Sequence, residues 1–217
     1  MEPIDEQYLG EATLKQSSLQ VSIIVPTYNS RPFVEAASES IEEAMDRFPS
    51  SEVIYCDNGS NDGTLEYLAA LKGQRIRLVS RPEATIGAVR NAGARIASGK
   101  YLLFIDSDCT IPDDYLIRLS DSLVRTGAAS IGCRVYLPRD AHWIPKVWHS
   151  MHFPASSSNV KWLNSANVCV SREAFVAVGG FSESIETGED AELGLKLNAH
   201  GYRQYQDLSL AVLHHRN

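Results

Sequence analysis

The stretch Tyr101-Leu102-Leu103-Phe104-Ile105-Asp106-Ser107-Asp108 decides how this chain is expected to fold. Its first five residues predict a buried strand, and two acids follow directly. Residues two apart in an extended chain point to the same side, so the carboxylates of Asp106 and Asp108 leave the strand end together. They repel each other unless a positive group lies between them, and a divalent cation is the simplest such group. The alternative is an acid pair that caps the helix expected after Pro112.

Apolar strands and helical spacings alternate through the first half of the chain. Strands are predicted at 19–25, where Pro26 stops the first one, and at 52–56, 76–79 and 101–105. Helices are predicted between them, at 33–48, 65–71 and 86–96. This alternation predicts an α/β fold with a mainly parallel sheet and helices on both faces. Ligands of such sheets bind beyond the carboxyl ends of the strands, so the turn-forming cluster 57–64 and the acid pair are expected to share one cleft.

The pattern is less regular after Tyr136. We expect an irregular or mobile loop over 137–160, then a short helix capped by Ser171. A further helix is expected from Gly188 to about Gly201, although its apolar residues also alternate as in a strand. A short final strand, 210–213, leads to His214. Residues 1–18 are polar and without periodicity, so we interpret them as a tail before one domain over 19–217.

Composition excludes several classes of protein. The 217 residues are 44% hydrophobic and 22% charged, which is typical of a globular domain. The net charge of −7 disfavours broad binding to nucleic acid. No apolar run is long enough for a transmembrane segment, and the acidic N-terminus is unlike a secretory signal, so a cytoplasmic location is expected. Loose association with a membrane surface stays open. The four cysteines lack zinc-type spacing and are interpreted as reduced thiols.

The motifs, taken in order, resemble glycosyltransferase family 2, whose members have the glycosyltransferase-A fold. The resemblance covers roughly 19 to 215. It rests on Val25-Pro26-Thr27-Tyr28-Asn29, Asp57-Asn58-Gly59-Ser60 with Asp62-Gly63-Thr64, Arg90-Asn91-Ala92-Gly93, Asp106-Ser107-Asp108, Asn167, Val178-Gly179-Gly180-Phe181, Gly188-Glu189-Asp190 and His214. It implies an inverting transferase of the hexosyltransferase type, which moves a sugar from a nucleotide-diphosphate donor, a UDP-sugar by resemblance, to an acceptor hydroxyl. The acceptor stays open between a glycan, a lipid, a protein and a small molecule.

The resemblance also implies a metal site and its chemistry. Asp106 would face the ribose or the metal, and Asp108 would hold Mn²⁺ or Mg²⁺, which neutralises charge on the leaving diphosphate. His214 is a further candidate ligand for the metal or the diphosphate, and the alternative for it is an ordinary surface histidine.

A nucleotide pocket is implied near the ends of the first two strands. Asp57 would contact the base, and the alternative is an Asx-turn within its glycine-rich loop. Arg90 would offset the charge of the diphosphate, unless it is an exposed helix residue. Gly93 would let its helix approach the sheet closely. Four residues are expected to line the same pocket: Pro26, Thr27, Tyr28 and Asn29.

Proton transfer is assigned by resemblance to Glu189 and Asp190. An inverting transfer needs a base that removes the proton of the acceptor hydroxyl. We expect Asp190 to be that base and Glu189 to assist it or to bind the acceptor; the alternative is a pair of acids that stabilise a helix N-terminus. Asn167 and the Trp143 to Trp162 stretch, Trp162 in particular, are expected to shape the donor-sugar and acceptor pockets, with plain packing as the alternative.

Three other functions compete with this interpretation. A sugar nucleotidyltransferase needs a glycine-rich phosphate loop near the first strand, and Val25-Pro26-Thr27-Tyr28-Asn29 lacks one. A dehydrogenase would need G-x-G-x-x-G at the same place. A nucleotide-sugar-binding protein without activity would have no need of Asp106, Asp108 and Asp190 together.

Overall fold

The computed structural model of this chain describes residues 20–138 and 156–215. Its strands are β1 (Val21–Thr27), β2 (Ser51–Asp57), β3 (Ile76–Ser80), β4 (Tyr101–Ile105), β5 (Cys109–Thr110), β6 (Ser130–Tyr136), β7 (Ser158–Val160), β8 (Asn167–Ser171) and β9 (Gln204–His214). Its helices are α1 (Arg31–Arg47), α2 (Thr64–Ala70), α3 (Ile86–Ile96), α4 (Tyr115–Thr126), α5 (Arg172–Ala177) and α6 (Glu189–Ala199). The predicted N-terminal tail and the stretch that holds Trp143 lie outside the described residues.

The described strands form one mixed sheet in the order β3-β2-β1-β4-β8-β6-β9-β5, with β7 paired to β9. The first four strands are parallel, as the alternating sequence pattern predicted. Strand β8 then runs antiparallel between β4 and β6, and β6 pairs in parallel with β9. The predicted α/β class with flanking helices is confirmed, and the sheet is mixed, parallel in its first four strands.

Two apolar layers cover the two faces of the sheet. Ile23 and Val25 of β1 point into one layer with the buried stripes of α1 and α4. Ile24, between them, points into the other layer with residues of α3, α5 and α6. Because successive side chains of a strand alternate between faces, a continuous apolar strand fills both layers. Helices on both faces follow from that composition.

Gly93 brings α3 unusually close to the sheet. A Cβ atom at this position would lie 2.6 Å from Cys56 Sγ and 2.6 Å from Ile24 Cγ2. The close approach predicted from the sequence is therefore confirmed, and it fixes the height of α3 above β1 and β2.

Several boundaries differ from the prediction. Strand β1 continues through Pro26 to Thr27 instead of stopping at the proline. The pairing of β1 with β4 ends at Ile24. Pro26 has no N–H to donate, but no residue of β4 needs a hydrogen bond from it. Strand β9 begins at Gln204, well before the predicted Leu210, because its polar first half is buried and its glutamine side chains donate to backbone carbonyls.

Other features of the second half agree with expectation or add to it. The helix after Gly188 is confirmed as α6, and Ser171 caps α5 by accepting a hydrogen bond from the Ala174 N–H. Strand β7 lies within the segment that was interpreted as irregular. The four cysteines are buried and unpaired. Within the described ranges, no helix combines the length and the apolar character that crossing a bilayer requires.

Candidate active site

A cleft of about 240 Å³ opens at the carboxyl ends of β1 and β4. It lies where ligands of parallel sheets are expected. The residues around it come from the ends of β1, β2 and β4 and from the first turns of α3. They are Pro26, Thr27, Tyr28, Ser30, Asn58, Ile86, Val89, Arg90, Asp106, Ser107 and Asp108.

The β1 end contributes three of the four predicted nucleotide residues to the cleft wall, namely Pro26, Thr27 and Tyr28. The Tyr28 side chain is 59% exposed, so its ring is open to a ligand. Asn29 is not among the lining residues. It adopts a positive φ of 47° and its N–H donates to Ser60 Oγ at 3.0 Å, so it ties the β1 and β2 loops together.

Asp57 is buried beneath this wall. One oxygen accepts from the N–H groups of Gly59 and Ser60, each at 2.9 Å. The other accepts from the hydroxyls of Thr27 at 3.1 Å and Ser60 at 2.5 Å. The Asx-turn alternative therefore describes what this carboxylate does in the structure, and its contact with a base stays a prediction. Asn58, its neighbour, is the residue of this loop that reaches the cleft.

Arg90 is buried between two carboxylates. Its Nη1 donates to Glu189 Oε1 at 2.6 Å, and its Nη2 donates to Asp106 Oδ1 at 2.8 Å. The guanidinium carbon lies 5.5 Å from the centre of the Phe181 ring. The side chain is 3% exposed, so the alternative of an exposed helix residue is wrong. The guanidinium is already engaged by acids on both sides, and its predicted role toward a diphosphate stays a prediction.

Asp106 and Asp108 have different partners, because Asp106 Oδ1 accepts from Arg90 and Asp108 Oδ1 lies beside His214. Desolvation raises the pKa of the Asp106 carboxyl above its ordinary value, with the charge of Arg90 opposing the shift and that of Asp108 adding to it. Between them, Ser107 turns away and its Oγ lies 2.7 Å from Ser30 Oγ. That hydrogen bond fixes the acid turn to the start of α1.

Asp108 meets His214 at the end of β9. Its Oδ1 lies 3.4 Å from His214 Nε2. One ligand atom from each of Asp108, Cys109 and His214 lies within 4.8 Å of the other two. Strand pairing enforces the geometry because Cys109 is directly opposite His214. A carboxylate oxygen suits Mg²⁺ or Mn²⁺, and an imidazole nitrogen suits transition metals. The donor set therefore fits a divalent ion such as Mn²⁺. Burial raises the pKa of the Cys109 thiol, and the neighbouring acids add to that shift.

Glu189 and Asp190 begin α6, but they have different surroundings. Glu189 is buried, holds Arg90 and lies 3.4 Å from Ser165 Oγ. Asp190 is partly exposed. Its Oδ2 accepts from the Ser165 N–H at 3.2 Å, and its Oδ1 accepts from the N–H of Ala191 at 2.7 Å. Among the described residues, the hydrogen bonds to both Asp190 oxygens come from backbone N–H groups, while Glu189 is fixed by an ion pair with Arg90.

The predicted sugar-pocket residues lie in different places. Asn167 is 2% exposed and its Oδ1 accepts from the Tyr115 hydroxyl at 2.5 Å. Asn167 pairs with Ile105, and its side chain lies on the face of the sheet that α4 covers. The structure therefore supports a packing role for Asn167 and not a place in the sugar pocket. Trp162 is partly buried, and its backbone packs against Gly194 of α6, where a Cβ would lie 2.7 Å from Trp162 Cα.

Sequence reasoning missed Ser30, Asn58 and Ser165. Ser30 and Asn58 directly follow Asn29 and Asp57, which were assigned to the pocket. This adjacency in the sequence could have predicted that they line it. Ser165 lies in a loop without periodicity. Its contacts with Glu189 and Asp190 depend on the return of α6 toward β8, which no local pattern of the sequence indicates.

Comparison with known proteins finds relatives of this chain. The family model "Glycosyl transferase family 2" matches residues 22–179. The succinoglycan biosynthesis protein ExoA of Rhizobium meliloti is 30% identical over 194 residues, which cover 83% of this chain and 58% of the relative. A validoxylamine A glucosyltransferase of Streptomyces hygroscopicus is 25% identical and is covered to 52%. The chain thus spans little more than half the length of these relatives.

The fold also resembles that of a solved structure. S. aureus TarS 1-349 in complex with UDP-GlcNAc superposes with a TM-score of 0.72 at 19% identity. The match covers 92% of this chain and 59% of that one. At this identity the likeness concerns the fold.

Proposed function

The chain belongs to glycosyl transferase family 2 and has the glycosyltransferase-A fold, and from this premise we propose that it transfers a sugar from a nucleotide-diphosphate donor to an acceptor hydroxyl with inversion. A UDP-sugar is the donor we propose, because the TarS structure of the same fold binds UDP-GlcNAc. One observation carries the proposal most directly: Arg90 joins Asp106 and Glu189, so the two acidic motifs of the sequence form a single site.

The donor would lie in the cleft at the ends of β1 and β4. Tyr28 offers an exposed aromatic face for the base, and the exposed part of the Asp106 carboxylate is available to a ribose hydroxyl or a metal. Two acids and one arginine line the cleft, so we expect a diphosphate in it to need a further positive partner.

Asp106, Asp108 and His214 are the residues we propose to hold Mn²⁺ or Mg²⁺. A bound divalent ion supplies neutralising charge to the diphosphate as it leaves. Asp108 and His214 are held together by the pairing of β5 with β9, so this pair is organised before any donor arrives.

Asp190 is the proposed base. Its carboxylate lies at the start of α6 with lone pairs beyond the two backbone contacts, and these can accept the proton of an acceptor hydroxyl. Glu189 is less suited to that step because its charge is engaged by Arg90. In-line attack on the sugar carbon requires the base and the donor at a fixed separation. The contact of Asp190 with the Ser165 N–H supports such an arrangement.

The experiment begins with a thermal-shift screen of nucleotide sugars with and without Mn²⁺, followed by release of nucleoside diphosphate from the best donor. Loss of a general base typically slows a reaction about a hundredfold to ten-thousandfold. Asp190→Asn should therefore abolish most turnover. Donor affinity should stay within about threefold of the wild type, which is less than the tenfold change that corresponds to ~1.4 kcal/mol of binding free energy.

Glu192→Gln is the matched control, since this acid of the same helical turn pairs with Lys196 at 3.0 Å. It should leave turnover unchanged. Full turnover by Asp190→Asn would exclude it as the base. Donor binding without any release of nucleoside diphosphate by the wild type would favour the non-catalytic alternative.

A further inference from the structure

Arg90 connects two parts of the fold that are far apart in sequence. Asp106 directly follows β4, 16 residues away, and Glu189 begins α6, 99 residues away. Each carboxylate takes a different terminal nitrogen of the guanidinium, at 2.8 and 2.6 Å. The arginine therefore spans the gap between the donor-side acid and the helix that carries Asp190.

The surroundings of Arg90 hold its guanidinium in one place. The Phe181 ring lies below it, with the guanidinium carbon 5.5 Å from the ring centre. Asn91 fixes the backbone of Phe181 from both sides, because its Nδ2 donates to the Phe181 carbonyl at 2.9 Å and its Oδ1 accepts from the Phe181 N–H at 3.1 Å. A buried arginine on a fixed platform has little freedom to follow a ligand.

We propose that Arg90 is a positioning residue that sets the distance between the donor-side carboxylate of Asp106 and the base Asp190 through its bridge to Glu189. This inference deepens the proposed function and rests on it. Loss of the bridge lowers turnover, while donor affinity is retained, because both terminal nitrogens of the guanidinium are already engaged by the two acids.

The chemistry of the bridge requires arginine. A guanidinium presents its donors in a rigid planar fork, so two nitrogens can serve two carboxylates at once. A lysine ammonium is a compact point charge and cannot reproduce this span. Arg90→Lys consequently keeps the positive charge but loses one of the two fixed distances.

The test compares Arg90→Lys with the wild type by steady-state kinetics and by calorimetric titration of UDP in the presence of Mn²⁺. Displacing a reacting group by about 1 Å can cost roughly a hundredfold in rate, so we expect kcat to fall by at least about thirtyfold. The Kd of UDP for the variant should stay within about threefold of the wild-type value, so the change in affinity is much smaller than the fall in kcat. Arg95→Lys is the control on the same helix, since Arg95 is exposed and pairs with Glu183 at 3.2 Å.

A double variant tests the route through Glu189. If Arg90 acts through this acid, Arg90→Lys should cost little further turnover in a Glu189→Gln background, because residues that act as a unit are not additive. Additive losses would overturn the route. Should Arg90→Lys fail to fold, Arg90→Met with Glu189→Gln removes the buried pair together, and the same split between kcat and Kd is expected.

Hydrogen exchange gives a readout that needs no turnover. The amides of α6 beyond its first turn, which donate within the helix, should exchange faster in Arg90→Lys than in the wild type, while the exchange of α4, on the opposite face of the sheet, should stay unchanged. Unchanged exchange at α6 overturns the proposal, and so does a rise in the Kd of UDP that matches the loss of turnover. A wild type that binds no nucleotide sugar would instead contradict the proposed function, so the two failures are distinguishable.

Discussion

Replacing Gly93 by alanine tests how closely α3 must approach the sheet. The added Cβ would lie 2.6 Å from Cys56 Sγ and 2.6 Å from Ile24 Cγ2, and both side chains are fully buried on adjacent strands. Overpacking a core usually costs about 1–3 kcal/mol, and two opposing contacts this short place the cost near 3. Alanine also favours a helix over glycine by about 1 kcal/mol. The net expectation is a loss of about 2 kcal/mol in the free energy of unfolding.

Thermal and urea unfolding measure this loss. For a domain of this size each kcal/mol lowers the melting temperature by about 2–4 °C, so we expect a fall of about 4–8 °C. Cys56→Ala removes one of the two contacts, and it should restore part of the stability that Gly93→Ala loses. Arg90 lies one helical turn before Gly93, so displacement of α3 should also slow turnover.

A matched control separates the close contact from general effects of alanine. Gly201 has a φ of 79° and no atom within 4 Å of a built Cβ, so Gly201→Ala introduces backbone strain alone. The losses in the free energy of unfolding from Gly201→Ala and Cys56→Ala should be additive in the double variant, because distant sites are independent. The reasoning is refuted if Gly93→Ala stabilises the protein, or if its effect is also additive with Cys56→Ala.

Two further predictions concern buried acids. Burial alone would raise the pKa of Asp207, but hydrogen bonds from Ser122 and Ser209 and the charge of Arg125 outweigh it and lower the pKa. This carboxylate therefore stabilises the fold above its unfolded pKa of about 3.9, and that contribution disappears as the pH falls through the lower folded value. Asp207→Asn should lower the free energy of unfolding by about 1–3 kcal/mol in urea at pH 7. The difference in this free energy between the variant and the wild type should become smaller as the pH falls. A difference that does not change with pH would contradict this. Asp57→Asn should destabilise the protein by a similar amount in urea unfolding, because the carboxylate accepts four hydrogen bonds in its loop; an unchanged free energy of unfolding would contradict this.

The parallel half of the sheet was predictable because its signals are local. Each of the first four strands is a short apolar run followed by turn-forming residues, and α3 carries a helical period. Gly93 was also readable, since a glycine within an apolar helix face points to close packing. The placement of Asp106 at a strand end followed from the same pattern.

The second half could not be predicted as fully, because its structure depends on contacts between distant segments. The first residues of β9 are polar, yet Gln204 and Gln206 are buried and satisfied by backbone carbonyls from other elements. Nothing near these residues in the sequence indicates such partners. The same cause explains the short strand β7, which pairs only with β9 among the described strands.

The site shows a comparable division. Residue types and spacing identified the acids, but they could not predict which carboxylates would be held by hydrogen bonds or ion pairs within the protein. Asp57 is closed off by its own loop, and Asn167 packs below the sheet. Arg90 was expected near a diphosphate, and only the fold reveals that it lies between Asp106 and Glu189.

The central claim is that Asp106, Asp108 and His214 hold the cation that binds the diphosphate of the donor. Crystals soaked with Mn²⁺ and UDP test it directly, because manganese can be located by its anomalous scattering. The account predicts a manganese peak at the side chains of Asp106, Asp108 and His214, with UDP bound in the cleft beside it. UDP bound in the cleft with no metal at these side chains would contradict it.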